Sequence, residues 1–151
     1  MSADNPDLRE LVAFRIGDAR YAIDIQSVRE IRGWSPATPL PNAQPFMQGV
    51  VNLRGIVLPV MDLGRRLGGP ASEPSARHAV IVIEHSGRLV GLLVDGVSDI
   101  LGVEPDSVQP APDLAAGGAE TVLEGIVAGE DGMISLLDLA RLVPEPVAEA
   151  A

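Results

Sequence analysis

The sequence predicts an all-β fold assembled from two similar units. Three observations lead there. Apolar residues alternate with polar ones at the two-residue spacing of strands rather than recurring every three or four positions. Glycine and proline are frequent, 16 and 13 among 151 residues, which favours many turns over long helices. The second half of the chain also repeats the order of motifs found in the first. With 46% apolar residues the chain has the material for a buried core, and its length is that of one ordinary domain.

Each element follows from its residues. Val12, Phe14 and Ile16 make one apolar face opposite Arg15, and Gly17-Asp18 turns the chain. Tyr21, Ile23 and Ile25 then alternate with Arg20, Ala22 and Asp24, completing a hairpin. Pro36, Pro39, Pro41 and Pro45 forbid a central strand, and the next strand runs from Gly55 to Met61. Asp62 to Leu67 reads as a one-turn helix with Asp62 as its N-cap. Residues 68–77 are a Gly/Pro/Ser-rich connector. Ala79 to Ile83 is wholly apolar, as a strand buried on both faces should be, and His85-Ser86-Gly87-Arg88 turns it into Leu89 to Val94.

The repeat then supplies the rest. The first hairpin followed by Val28-Arg29-Glu30-Ile31 matches the second followed by Val97-Ser98-Asp99-Ile100 at an offset of 69. Leu53-Arg54-Gly55-Ile56-Val57 pairs with Leu123-Glu124-Gly125-Ile126-Val127 at 70, and Val60-Met61-Asp62-Leu63 with Leu136-Leu137-Asp138-Leu139 at 76. Those offsets leave six extra residues near Gly129-Glu130-Asp131-Gly132. Either unit alone is marginal in size, so the two should share apolar surface, with a binding site in the cleft between them.

Charge excludes some functions. The net charge is −10, and it is uneven: residues 1–77 carry nine arginines against eight acids, residues 78–151 two against thirteen. An acidic second half repels phosphate backbones, which argues against nucleic acid as a partner; it serves as a solvating surface or faces an arginine-bearing partner. No apolar run exceeds six residues, far short of the roughly 20 that span a membrane. Residues 1–10 lack the basic-then-apolar order of a secretory signal, so a cytoplasmic location is expected. Cysteine is absent, which removes disulfides and thiolate chemistry.

Catalytic constellations are sparse. A pseudo-twofold β protein uniting Asp62 with Asp138 would resemble an aspartic hydrolase whose two carboxylates share a proton. That chemistry calls for Thr or Ser and then Gly after each Asp, whereas leucine follows both here, so capping is the better reading. His78 and His85 sit at opposite ends of one strand, about 23 Å apart on extended geometry, too far to share a metal. No nucleophile elbow, P-loop or dinucleotide glycine motif occurs. Binding has more to work with. Val28 to Trp34 mixes apolar residues, charges and the single tryptophan, as interface anchors do. Arg54, in an apolar stretch, should find a carboxylate, and Glu30 is the candidate.

Five ordered segments carry a resemblance: Val28 to Gly33, Gln48 to Gly55, Val60 to Leu63, Val94 to Asp99, and Val108 to Asp113. Together they resemble the chemotaxis coupling protein CheW family over about residues 8–143. The resemblance implies two intertwined five-stranded SH3-like β-barrel subdomains with short helices, about 8–70 and 71–143, with tails at 1–7 and 144–151. It implies no enzyme, cofactor or metal. It implies an adaptor between transmembrane chemoreceptors and the histidine kinase CheA, at cytoplasmic arrays, without membrane insertion. The partners implied are the regulatory domain of CheA, the cytoplasmic receptor tips and further CheW copies in rings. Carried over by position, Glu30 and Arg54 match the family's salt bridge, Val28 and Ile31 its kinase side, and Leu114 a second ring contact, where an aromatic is more familiar. Gly49, Val97 and Ile100 align with the receptor cleft. A scaffold of a pilus-linked or other non-flagellar chemosensory pathway is the alternative, and the Asp62/Asp138 hydrolase the remote one.

Overall fold

The computed structural model describes residues 8–69, 73–110, 122–129 and 132–143. The expected tails, the 70/71 boundary and Leu114 fall outside these residues. Among the described residues ten strands form: β1 (Arg9–Ile16), β2 (Ala19–Asp24), β3 (Val28–Gly33), β4 (Met47–Leu53), β5 (Ile56–Asp62), β6 (Ala79–His85), β7 (Arg88–Val94), β8 (Gly96–Val103), β9 (Leu123–Gly129) and β10 (Gly132–Leu137). Two four-residue helices, α1 (Leu63–Arg66) and α2 (Leu139–Leu142), follow β5 and β10. Asp62 caps α1 by accepting the Arg65 N–H, and Asp138 caps α2 by accepting the Ala140 N–H, as the capping reading of both requires.

The strands make two five-stranded sheets, ordered β8-β1-β2-β10-β9 and β3-β6-β7-β5-β4. Neighbours are antiparallel except β2 with β10 and β5 with β7, which run parallel. The two subdomains are intertwined, as the resemblance implies. Each sheet joins the leading hairpin of one repeat to the last three strands of the other, so the repeats exchange strands. Alternation along a strand identifies a buried face but not the neighbour that buries it.

Three apolar cores result. Leu11, Ala22, Val127, Ile134 and Leu136 fill the first barrel, and Leu53, Leu58, Val60, Val80, Val82 and Leu93 the second, with Trp34 packed against them. Between the barrels lie Val12, Phe14, Ile23, Met61, Ile81, Ile83, Leu92 and Leu137 among others. Val80 and Val82 thus point into a barrel while Ile81 and Ile83 point at the other one. Burial on both faces is why this segment is apolar throughout.

The structure also corrects the repeat. Asp62 N–H donates to Phe46 O at 2.7 Å, and Asp138 N–H to Val122 O at 2.7 Å. Thr38 bridges Val50 as Gln109 bridges Ile126. Phe46 with Val122, Val50 with Ile126 and Asp62 with Asp138 all relate by 76, so Gly49-Val50-Val51 corresponds to Gly125-Ile126-Val127, and Leu53 to Val57 does not. The shared pattern Leu-x-Gly-Ile-Val had matched a turn to a strand. A single offset of 76 covers β4 to α1, so the extra residues fall in the chain ahead of β9 and not in the β9–β10 turn.

Candidate functional site

β3 is an edge strand, and its residues alternate between partly buried and exposed. Val28 packs against the core between the barrels, whereas Ile31 is 44% exposed. Arg54 lies at the tip of the β4–β5 hairpin, at the other end of the strand order. Arg54 and Gly55 have φ of +50° and +87°, the primed-turn geometry that a two-residue hairpin needs, and Asn52 Oδ1 accepts the Gly55 N–H at 2.7 Å. The turn aims the Arg54 guanidinium at Glu30: Nη2 to Oε1 is 2.6 Å and Nη1 to Oε2 is 3.4 Å. This fork joins the first and last strands of the sheet, across the seam where it rolls on itself.

Arg32 Nη1 adds a third contact to Glu30 at 3.9 Å, and Arg29 pairs with Glu84 beside it. The hydrogen bond from Arg54 holds the Glu30 carboxyl below its ordinary range and in return raises the Arg54 guanidinium. The pairing deduced from the sequence is present, but its stated cause is not. Arg54 is 69% exposed in its side chain, so no buried charge forces the contact. Ile56 and Val57, next along the chain, are 52% and 70% exposed. Both belong to the strand read from the sequence, and their position just beyond the hairpin tip carries them clear of the core.

The residues expected at the receptor cleft lie on two sheets. Val97 and Ile100 lie on β8, the edge of the first sheet, opposite Phe14 and Val12, and are 36% and 54% exposed. Gly49 lies on β4 of the second sheet and is buried. A Cβ on Gly49 would stand 2.6 Å from the Thr38 carbonyl carbon and closer still to its oxygen. The close approach that Gly49 permits is therefore one by its own chain, at the Thr38–Val50 bridge. Gly125 plays the same part toward Gln109 O, at 2.6 Å.

Asp62 and Asp138 differ in setting, the first buried and the second partly exposed. Both accept a backbone N–H of their own helix. The helices are linked by Arg66, whose Nε and Nη2 donate to Leu142 O and Arg141 O at 3.0 Å each. Among the described residues no helix is long and apolar enough to cross a membrane.

Paired five-stranded barrels of SH3-like kind, with charged and apolar residues displayed on edge strands, define a protein-binding scaffold module. The chain matches the CheW-like domain family over residues 10–147. It is 50% identical to chemotaxis protein CheW of Rhizobium meliloti (strain 1021), across 95% of this chain and 92% of that protein. With chemotaxis protein CheW of Klebsiella aerogenes the identity is 36%, across 89% and 81%. The crystal structure of the scaffolding protein TtCheW from Thermoanaerobacter tengcongensis superposes with a TM-score of 0.83 at 30% identity, covering 94% of this chain and 92% of that one. The chain belongs to the CheW family, and its function is that of a chemotaxis scaffold.

Proposed function

We propose that this scaffold couples chemoreceptor tips to the histidine kinase CheA, with the Arg54–Glu30 seam of the second barrel on the kinase side and exposed β8 on the receptor side. The observation that carries the kinase assignment is the forked Arg54–Glu30 contact beside exposed Ile31. It fixes an edge strand in place and leaves apolar surface open next to rigid charge, the composition of a protein-binding patch. Val28 supports the strand from the core side. For the receptor, Val97 and Ile100 offer an apolar wall to which an amphipathic helix can apply its face. Gly49 is retained as a receptor-cleft residue on resemblance alone. Leu114 is retained as a second ring contact on resemblance alone, and further copies of the chain are candidate ring partners beneath a receptor array.

Capture assays separate the two surfaces. Arg54→Ala should reduce CheA capture and spare the receptor tip, while Val97→Glu, which sets an unpaired charge on the apolar wall, should do the reverse. Loss of both partners in either variant, or of neither, overturns the assignment. Co-purification from native cells identifies which kinase and receptors come down, and so whether the pathway is flagellar.

A further inference from the structure

The two short helices end differently, although the offset of 76 carries α1 onto α2. Beyond α1 the chain closes the helix by itself. Gly68 N–H donates to Arg65 O at 3.0 Å and Gly69 N–H to Gly64 O at 2.9 Å, with Gly68 at φ of +98°. Such a glycine ending satisfies the last carbonyls of a helix, which have no partner inside it. The same offset puts Pro144 in the place of Gly68, and proline has no N–H to donate. The carbonyl that this would leave unmet is Arg141 O, the counterpart of Arg65 O. It accepts instead from Arg66 Nη2 at 3.0 Å, and Arg66 Nε donates to Leu142 O at 3.0 Å. The guanidinium lies over the Phe46 ring, 5.3 Å from its centroid. Leu142 holds the counterpart position of Arg66, so this contact has no mirror image at α1.

We propose that α2 is a detachable plug in the core between the barrels, clasped shut by Arg66. Leu139, Leu142 and Val143 form the apolar side of the plug, buried with Phe14, Ile81 and Leu92. A four-residue helix is too short to hold itself together in water, so both of its ends need anchors. The first end is tied to the barrel it follows: Asp138 N–H donates to Val122 O at 2.7 Å, and the Asp138 carboxylate accepts the Ala140 N–H. The second end is tied by Arg66, from the other half of the chain. A guanidinium at that end also sits where the helix dipoles favour a cation. Its place on the Phe46 face restricts it beforehand, which lowers the ordering cost of a two-carbonyl contact. Because α2 follows the last strand, its release breaks no strand pairing. The plug therefore opens as a unit of its own, baring apolar surface between barrels whose sheets stay intact.

Hydrogen exchange of single amides, read by NMR on the full chain, tests this. Leu142 N–H donates to Asp138 O at 2.9 Å and Val143 N–H to Leu139 O at 3.0 Å, so both report on the plug, whereas the amides of β6 and β7 report on the barrels. In Arg66→Ala the Leu142 and Val143 amides should exchange about ten- to a hundredfold faster, the scale of two hydrogen bonds to a charged group. The β6 and β7 amides should accelerate far less. Arg65→Ala removes the same charge from the same turn at an exposed side chain, and should leave all of these amides as they are in the wild type. If Arg66→Ala does not fold, Arg66→Lys serves. Its single ammonium lacks the fork that spans two carbonyls, so the Leu142 and Val143 amides should again accelerate more than those of β6 and β7. Unchanged exchange at Leu142 and Val143, equal acceleration in β6 and β7, or the same effect from Arg65→Ala overturns the clasp.

Discussion

Gly49→Ala should be among the most damaging single-methyl additions to this protein. A Cβ there would lie 2.6 Å from the Thr38 carbonyl carbon, against a normal carbon contact of about 3.5 Å, so the 38 region must retreat by on the order of 1 Å. Retreat breaks the bridge in which Thr38 N–H donates to Val50 O at 2.8 Å and Val50 N–H to Thr38 O at 2.9 Å. Gly49 also holds φ of +138°, where a side chain strains the backbone. Two hydrogen bonds at about 0.5–1.5 kcal/mol each, plus about 1–3 kcal/mol of strain, give a cost of about 2–6 kcal/mol. Gly125→Ala meets Gln109 O at 2.6 Å without a positive φ, so it keeps only the hydrogen-bond share, about 1–3 kcal/mol. Gly33→Ala, with nothing within 4 Å, is the control and should be neutral. Equilibrium urea unfolding read by Trp34 ranks the three. The reasoning fails if Gly49→Ala costs under about 1 kcal/mol, or if Gly33→Ala matches it.

Three other outcomes are expected. Glu30→Ala and Arg54→Ala should together weaken kinase capture by less than the sum of their separate effects; strict additivity would mean that they act apart. Since Arg54 lowers the Glu30 carboxyl, the pair is present above that lowered range and opens as pH falls through it, so capture that already fails in the ordinary carboxylate range counts against it. Receptor-tip binding to β8 should change little from low to physiological salt, because screening acts on exposed charge; a pull-down that collapses with modest salt points to the acidic half instead. Asp62→Ala should lose about 0.5–2 kcal/mol of stability as a cap, and more than Asp138→Ala because Asp62 is buried; calorimetry showing the reverse order refutes this.

Strand faces, hairpin turns, both helix caps and the Glu30–Arg54 pair were legible in the sequence because each depends on a few neighbouring residues or on simple charge matching. Sheet membership was not. The pattern of β2 says that Ala22 and Ile23 are buried on opposite faces, but its parallel partner β10 lies more than a hundred residues away and leaves no mark in the local pattern. β4 was missed as a strand, although Val50-Val51 ahead of the Arg54-Gly55 turn was a usable signal. Gly49 was legible as a residue of interest, but not its contact with Thr38, since that carbonyl arrives from a proline-rich stretch with no strand pattern of its own.

The strand exchange bears on ancestry. One repeat alone has a hairpin lacking its three completing strands and three strands lacking their hairpin, so it cannot close either barrel by itself. Two identical copies of one repeat supply both deficits at once, which is the arithmetic of a domain-swapped homodimer. Joining the copies through the connector around residues 68–77 converts that encounter from bimolecular to intramolecular, replacing dependence on protein concentration with a fixed effective molarity. It also frees the halves to diverge. Arg9 and His78, Gln48 and Glu124, and Arg66 and Leu142 are pairs that a homodimer must keep alike and a single chain need not.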